Sequence, residues 1–288
     1  MGFNLPSWRG IKEFCHDCRE WLGRWALHRG REEEIERQLE KLERELEKER
    51  DPGKKAELTE RVEDLQAAWR AILIAKTERL LKKEGYPPYG PLVADGKRTL
   101  APATREELRM LVKTVAELPP PASLSQVMQL MLSAQANYVL ERYDGALADL
   151  NRALELRPDD PVILNNRGVT YSALERHDEA LADYNRALEL KPDDPEILNN
   201  RGVTYYHLER YDEALADINR ALQLKPDDPQ SLYNMACLLS LMQKPEDATA
   251  YLEKAIALDD KCRREASTDS DFDNIRDDPR FRRLVEGA

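Results

Sequence analysis

Two cysteines near the start of the chain are of a type and spacing that could hold a metal. Cys15 and Cys18 are separated by two residues, His16 lies between them, and His28 follows further along. Thiolates and imidazoles are the ligands that zinc prefers, so this group could bind zinc. The chain has no second pair of cysteines at this spacing, and both thiols fall on an apolar helical stripe, where free cysteine acts as a small core residue. We therefore predict a packing role, no bound metal and no cofactor.

Asparagines recur later in the chain at a fixed interval. Asn166, Asn200 and Asn234 follow one another every 34 residues, and Asn165 and Asn199 precede the first two. A carboxamide both donates and accepts hydrogen bonds, so a row of them could bind the peptide groups of an extended chain whatever its side chains. The alternative is that these asparagines hydrogen-bond a neighbouring helix. The sequence leaves the two interpretations equally open.

Patterns that support catalysis do not occur. The four histidines, at positions 16, 28, 177 and 207, are scattered along the chain. There is no glycine-rich loop that would cradle a phosphate and no strand-to-helix turn that would expose a serine nucleophile. We predict that the chain is not an enzyme.

The interval of 34 residues belongs to a larger repeated unit. The heptapeptide NNRGVTY begins at Asn165 and again at Asn199, and small residues, a tyrosine and a proline recur around it. The recurring pairs are Gly168 and Gly202, Tyr171 and Tyr205, Ala180 and Ala214, Ala187 and Ala221, and Pro192 and Pro226. A unit of this kind cannot bury its apolar face alone and must stack on its neighbours.

These residues resemble the tetratricopeptide repeat, in which small residues let two helices approach and a proline ends the second helix. Units 161–194 and 195–228 fit well; unit 127–160 has Asn137 in place of the tyrosine, and unit 229–262 has Asp260 in place of the proline. The resemblance covers a little under half of the chain. It implies an all-α fold, namely a right-handed α-solenoid of four helix pairs with a closing segment at 263–288.

The same resemblance implies a peptide-binding groove along the inner helices. Its predicted residues are Asn165, Asn166, Val169, Asn199, Asn200, Val203, Tyr206, Tyr233 and Asn234, with Val162, Ser172, Glu196, Gln230 and Cys237 at the same repeat positions. The asparagine row resembles the ladder in the repeats of the O-linked N-acetylglucosamine transferase, from which only the idea of peptide binding carries over. Chaperone-binding repeats need basic residues in the groove, and this sequence has none there. Arg167 and Arg201 depart from the pattern and could pair with the acidic turns.

A coiled-coil hairpin is predicted before the repeats. Ile35, Leu39, Leu42 and Leu46 alternate at spacings of four and three. Asp51-Pro52-Gly53 interrupts this seam, which resumes from residue 58 to residue 80. We therefore expect two antiparallel helices within residues 1–84. They could also associate with a second copy of the chain.

A stripe of large apolar residues precedes the hairpin. It comprises Trp8, Ile11, Phe14, Trp21 and Trp25, at helical spacing with the two cysteines. The stripe needs cover, which the rest of the chain, a second copy or a partner could provide. We predict it as an N-terminal interface.

Composition limits the classes of partner and the location. Charged residues make up 34% of the chain, and the net charge of -11 is concentrated in residues 127–262, which hold 14 Lys and Arg against 25 Asp and Glu. An acidic solenoid disfavours nucleic acid. Most of these acids fall between repeats, where they can cap helices, although a site for a basic ligand stays an alternative. No apolar stretch is long enough to span a membrane, and we expect a cytoplasmic protein.

These observations predict three regions and a non-catalytic function. The regions are residues 1–84, a proline-rich linker with a short helix at 85–122, and the repeats with their closing segment at 123–288. The predicted function is that of an adaptor whose groove binds an extended segment of a protein partner, while the hairpin mediates self-association or attachment to a larger complex. The alternative is a structural subunit whose hairpin makes the main contacts and whose repeats act as a spacer.

Overall fold

The structure is a computed structural model that describes residues 31–83, 102–117 and 126–286. Within these ranges every regular element is a helix, so the all-α prediction is confirmed. In chain order the α-helices are α1 (Arg31–Lys48), α2 (Pro52–Lys83), α3 (Pro102–Glu117), α4 (Gln126–Val139), α5 (Tyr143–Leu156), α6 (Pro161–Ala173), α7 (His177–Leu190), α8 (Pro195–His207), α9 (Tyr211–Leu224), α10 (Pro229–Leu241), α11 (Pro245–Leu258), α12 (Lys261–Thr268) and α13 (Pro279–Glu286), with a 3-10 helix at Ser270–Ile275.

The described helices form two compact units. The first contains α1 to α4 and ends at Leu140, and the second begins at Glu141 and contains α5 to α13. In the described ranges, none of the helices combines the length and the apolar character that crossing a membrane requires.

In the first unit, α1 and α2 are joined by a short turn and pack against each other. The Glu49 carboxylate accepts hydrogen bonds from the backbone of Arg50 and Asp51, and Asp51 in turn accepts one from the Lys54 N–H at 2.9 Å, which begins α2. The cluster between the helices is made of Ile35, Leu65, Trp69, Ile72 and Leu73, with Leu111 of α3 and, partly buried, Leu39, Leu42 and Leu80. This apolar contact stabilises the first unit.

In the second unit, aspartates begin the first helix of each pair. Asp160 accepts hydrogen bonds from the backbone N–H groups of the first turn of α6, and Asp194 and Asp228 do the same for α8 and α10. A proline follows each aspartate as the first helical residue, where its missing N–H costs nothing. The prediction that acids between repeats cap the next helix is confirmed for these three residues.

In each of two successive helix pairs, the two helices of the pair approach closely because the first of them has a glycine at the contact. A Cβ atom on Gly168 would lie 2.6 Å from the Tyr184 ring, and one on Gly202 would lie 2.8 Å from Ile218. Both distances are below van der Waals contact, so only glycine fits without displacing the facing side chain. The glycine that recurs in the sequence therefore sets the packing of α6 on α7 and of α8 on α9.

The end of the second unit is closed by α12, the 3-10 helix and α13. Phe272 and Phe281 are at most 1% exposed, and their rings lie 5.3 Å apart. Together with Ile275 they join the core that α10 and α11 supply. This segment covers apolar surface that the last helix pair would otherwise expose to water.

Candidate interaction site on the inner helices

Paired asparagines connect the inner helices α6, α8 and α10. The Asn200 side-chain amide donates to the Asn165 carbonyl oxygen at 3.0 Å, and Asn234 donates to Asn199 at 3.1 Å. Each pair of asparagines joins the fifth position of one repeat to the sixth position of the next repeat. Hydrogen bonds in this protected setting fix neighbouring inner helices in one register.

The burial of these asparagines revises the role predicted for them. Asn165, Asn166, Asn199 and Asn200 are at most 3% exposed, so their carboxamides have no surface that a bound peptide could reach. The observed bonds agree with the alternative drawn from the sequence, in which they join a neighbouring helix. Asn234 is half-buried, and its carbonyl oxygen accepts a hydrogen bond from Gln230 at 3.1 Å.

Six predicted groove positions do keep accessible surface. We define the inner-helix face as Val162, Ser172, Glu196, Tyr206, Gln230 and Asn234, all of which are half-buried. Val169 is 1% exposed and Val203 is 9% exposed, so both belong to the packing beneath this face. Burial, and secondly the charge of Asp194, raises the pKa of Glu196.

The chain's own closing segment covers part of the predicted groove on α10. The Tyr233 hydroxyl donates to the Asp269 carboxylate at 2.8 Å, and the Tyr233 ring lies edge-on to Phe272 with centroids 5.7 Å apart. Tyr233 is 7% exposed as a result. Burial and a hydrogen bond with Asp271 raise the pKa of Tyr206, which lies at the margin of this covered area. Tyr233 therefore holds the closing segment, while Tyr206 keeps part of its surface free.

Two arginines form a repeated network that the sequence analysis did not predict. Arg167 donates two hydrogen bonds of 2.7 Å to Asp183 on α7 and a third, of 2.9 Å, to Asn151 on α5. Arg201 makes the same three contacts one repeat later, with Asp217 and Asn185. The idea that these arginines pair with the acidic turns was wrong.

The turns are paired by other arginines. Arg186 binds Asp159 and Arg220 binds Asp193, both at 2.7 Å. The signal for the buried network was present in the sequence, because Asp183 and Asp217, as well as Asn151 and Asn185, stand 16 residues from the arginine they bind. Polar residues that recur at the same position in successive repeats can indicate a buried contact between helices as readily as a surface site.

The remaining predicted site residues cannot be placed. Trp8, Ile11, Phe14, Trp21 and Trp25 lie outside the described residues, as do Cys15 and Cys18. The N-terminal interface and the packing role of the two cysteines stay predictions.

Comparisons with known proteins match the repeats. Models of the tetratricopeptide repeat match residues 126–193, 168–231 and 229–262. No curated protein matches the sequence. A solved structure of MamA from AMB-1 is 21% identical over 68% of this chain and 92% of that chain, with a TM-score of 0.44. TTC0263, a repeat protein of the same type from Thermus thermophilus, is 22% identical over 57% of this chain and 88% of that chain, with a TM-score of 0.48.

Proposed function

Because residues 126–262 are tetratricopeptide repeats, we propose that this scaffold for protein interaction binds an extended segment of a partner along its inner-helix face. The chain acts as an adaptor without catalytic chemistry of its own. The observation that carries the proposal is the pair of inter-repeat bonds, Asn200 to Asn165 and Asn234 to Asn199. They hold successive inner helices in register, so equivalent side chains come at regular intervals on one face.

The regular spacing suits a partner in an extended conformation. The second position of each repeat contributes Val162, Glu196 and Gln230, and the twelfth contributes Ser172 and Tyr206. An extended segment also presents its side chains at regular intervals, so it can meet this face repeat by repeat. A preformed face loses little conformational entropy on binding, which favours affinity.

The charges on the inner-helix face limit which partner segments it can bind. Of its six residues only Glu196 carries a charge, and Arg167 and Arg201, which are not among the six, bind their own aspartates. An acidic or phosphorylated segment would meet no basic partner among these six side chains. The face therefore fits a neutral or weakly basic segment with one aromatic or apolar residue for Tyr206 and Val162.

Substitution on the face tests this proposal. A partner that co-purifies with the full chain is identified, and its affinity is measured for wild type and for the double variant Tyr206→Ala and Gln230→Ala. Matched controls are Ala182→Gln and Ala216→Gln, which change exposed positions on the outer helices α7 and α9. We expect the inner-face variant to weaken binding by about tenfold or more, since truncated anchors cost over about 1 kcal/mol each. Equal affinities for all variants would reject the inner-helix face.

We further propose that the α1–α2 hairpin mediates self-association. Leu46 of α1 and Leu58 of α2 are only half-buried and lie outside the cluster between the two helices, so the hairpin tip presents apolar surface that a second copy could cover. Sedimentation of the full chain should show a dimer that is weakened in the variant Leu46→Gln and Leu58→Gln but not in the exposed control Lys41→Gln and Glu47→Gln. If deleting residues 1–84 abolishes partner binding, the repeats act as a spacer instead.

A further inference from the structure

A thiol and two carboxylates converge where the closing segment meets α10. Cys237 comes from α10, and Asp269 and Asp271 come from the start of the 3-10 helix. One ligand atom from each, the sulfur and two carboxylate oxygens, lie within 4.8 Å of one another. The Cys237 Sγ and the Asp269 Oδ2 are 3.8 Å apart.

The surrounding core, and not attraction between these groups, brings them together. Phe272, which directly follows Asp271 in the sequence, is fully buried against Tyr233 and Phe281. Asp269 also accepts the Asp271 N–H at 3.0 Å, which begins the 3-10 helix. The three donor groups are thus held close by the apolar packing of this segment on α10.

The cluster is rich in acidic groups and poor in positive charge. In the second unit, as far as Glu286, neither Asp269 nor Asp271 forms an ion pair with a basic side chain. Arg276, close in sequence, donates instead to the main-chain oxygen of Asp269 and to Asp273. The Tyr233 hydroxyl donates to Asp269 and the Tyr206 hydroxyl hydrogen-bonds Asp271, but neither hydroxyl carries a positive charge, so a cation would offset this accumulation of acids.

The hydroxyl of one further residue on α10 has no hydrogen-bond partner in the described structure. Ser240 follows Cys237 by three residues, and Tyr233 precedes it by four, so the three side chains lie on one face of the helix. The Ser240 side chain is fully buried, and its hydroxyl has no hydrogen-bond partner in the described structure. An unpaired hydroxyl in such a position normally has a ligand or a water as its partner.

We propose that Cys237, Asp269 and Asp271 form a zinc site that fastens the closing segment to α10. In a tetrahedral site with Zn–S of about 2.3 Å and Zn–O of about 2.0 Å, sulfur and oxygen lie about 3.5 Å apart. The observed distance of 3.8 Å between Cys237 Sγ and Asp269 Oδ2 is close to this value, and the other distances among the three ligand atoms are at most 4.8 Å. A fourth position remains for water or a nearby hydroxyl.

The donor set selects among divalent cations. Calcium and magnesium take oxygen ligands and disfavour sulfur, whereas zinc binds thiolate and carboxylate together. On binding, the S–H bond of Cys237 breaks, a Zn–S bond forms, and the proton leaves to the solvent. Zinc affinity should therefore rise with pH.

Zinc titration of the full chain tests the site. All proteins carry Cys15→Ser and Cys18→Ser, which removes the other pair of cysteines, and are first freed of metal by chelation. Calorimetry with zinc sulfate should give one equivalent bound. Cys237→Ser should abolish this binding, and Asp271→Asn should weaken it about tenfold or more. Cys262→Ser is the matched control, since Cys262 is buried in the same core but does not belong to the cluster, and it should bind as the parent does.

Cobalt provides a spectroscopic signal that would not appear if Cys237 were only a packing residue. Cobalt bound at the site should show a thiolate-to-metal charge-transfer band that is present in the Cys262→Ser protein and absent in Cys237→Ser. Zinc should also raise the thermal midpoint of the parent protein. No zinc bound by the parent would overturn the proposal, and so would unchanged binding in a folded Cys237→Ser or Asp271→Asn protein. These outcomes are measured with zinc and cobalt in the absence of any partner, so they test the metal site separately even though Tyr206 of the inner-helix face hydrogen-bonds Asp271.

Discussion

Two arginine–aspartate pairs of equal length but different burial allow a direct test of what the repeated network contributes. Arg167 and Asp183 are 2.7 Å apart, with side chains that are 23% and 9% exposed. Arg186 and Asp159 are also 2.7 Å apart, but their side chains are 49% and 63% exposed. Because the two ion pairs have the same length, a difference in the free energy of unfolding lost on breaking each pair reflects how deeply the pair is buried.

Removing one partner has a different consequence at each site. Arg167→Ala would leave the Asp183 carboxylate buried without its two donors, which costs about 3 kcal/mol or more. Arg186→Ala would leave Asp159 in water, and exposed pairs of this kind contribute little to stability because solvent screens them. Arg167→Met combined with Asp183→Leu should recover most of the stability, because apolar groups of similar volume can replace a buried ion pair at little cost.

Chemical denaturation followed by helical circular dichroism measures these differences. The free energy of unfolding is compared among wild type, Arg167→Ala, Arg186→Ala and the Met–Leu double variant. The dependence of this free energy on denaturant concentration is compared as well, because repeat arrays can unfold in more than one step. If Arg167→Ala costs no more than Arg186→Ala, the buried network does not support the repeats and the reasoning is refuted.

Three other changes have expected outcomes from local geometry. Gly168→Ala should lower the free energy of unfolding by about 1–3 kcal/mol, because the added methyl would overlap Tyr184; an unchanged denaturation midpoint would contradict this. Glu175→Gly should raise the thermal midpoint by relieving about 1 kcal/mol of strain, since Glu175 has a φ of 59°, and no gain would argue against strain there. Burial tends to raise the pKa of Asp228, but hydrogen bonds from Lys225 and from the first turn of α10 outweigh it and hold that pKa below its ordinary value. Its stabilisation is present above its ordinary pKa and is lost as the pH falls through the lowered one, so Asp228→Asn should cost about 1 kcal/mol near pH 7 and progressively less as the pH is lowered, as denaturation over a pH series would reveal.

The sequence predicted the elements of the repeats because their signals are local. An aspartate followed by a proline specifies the first turn of a helix from its own neighbours, as at Asp160-Pro161 and Asp194-Pro195. The period of 34 residues then places the helix pairs, and the recurring Gly168 marks the close approach of α6 and α7. None of these inferences needs a distant part of the chain.

The candidate site was less predictable because its contacts join different repeats. The period aligned Asn166 with Asn200, whereas the observed bond links Asn200 to Asn165 and depends on how one helix is rotated against the next. The closing segment could be recognised as a cover for apolar surface. That its Asp269 would bind Tyr233 follows only from the three-dimensional position of the 3-10 helix. Side chains facing an interface and side chains facing a groove have the same period in the sequence.

Site-specific photo-crosslinking tests most directly the central claim, which is that the inner-helix face binds the partner. A photoreactive phenylalanine analogue replaces Tyr206 on this face or, as a control, Ala216 on the exposed side of α9. Irradiation of the complex is followed by mass spectrometry of the linked peptides. We predict strong linkage from position 206 to one continuous segment of the partner and little from position 216. Linkage from position 216 alone, or linkage from position 206 to partner sites scattered along its chain, would contradict the account.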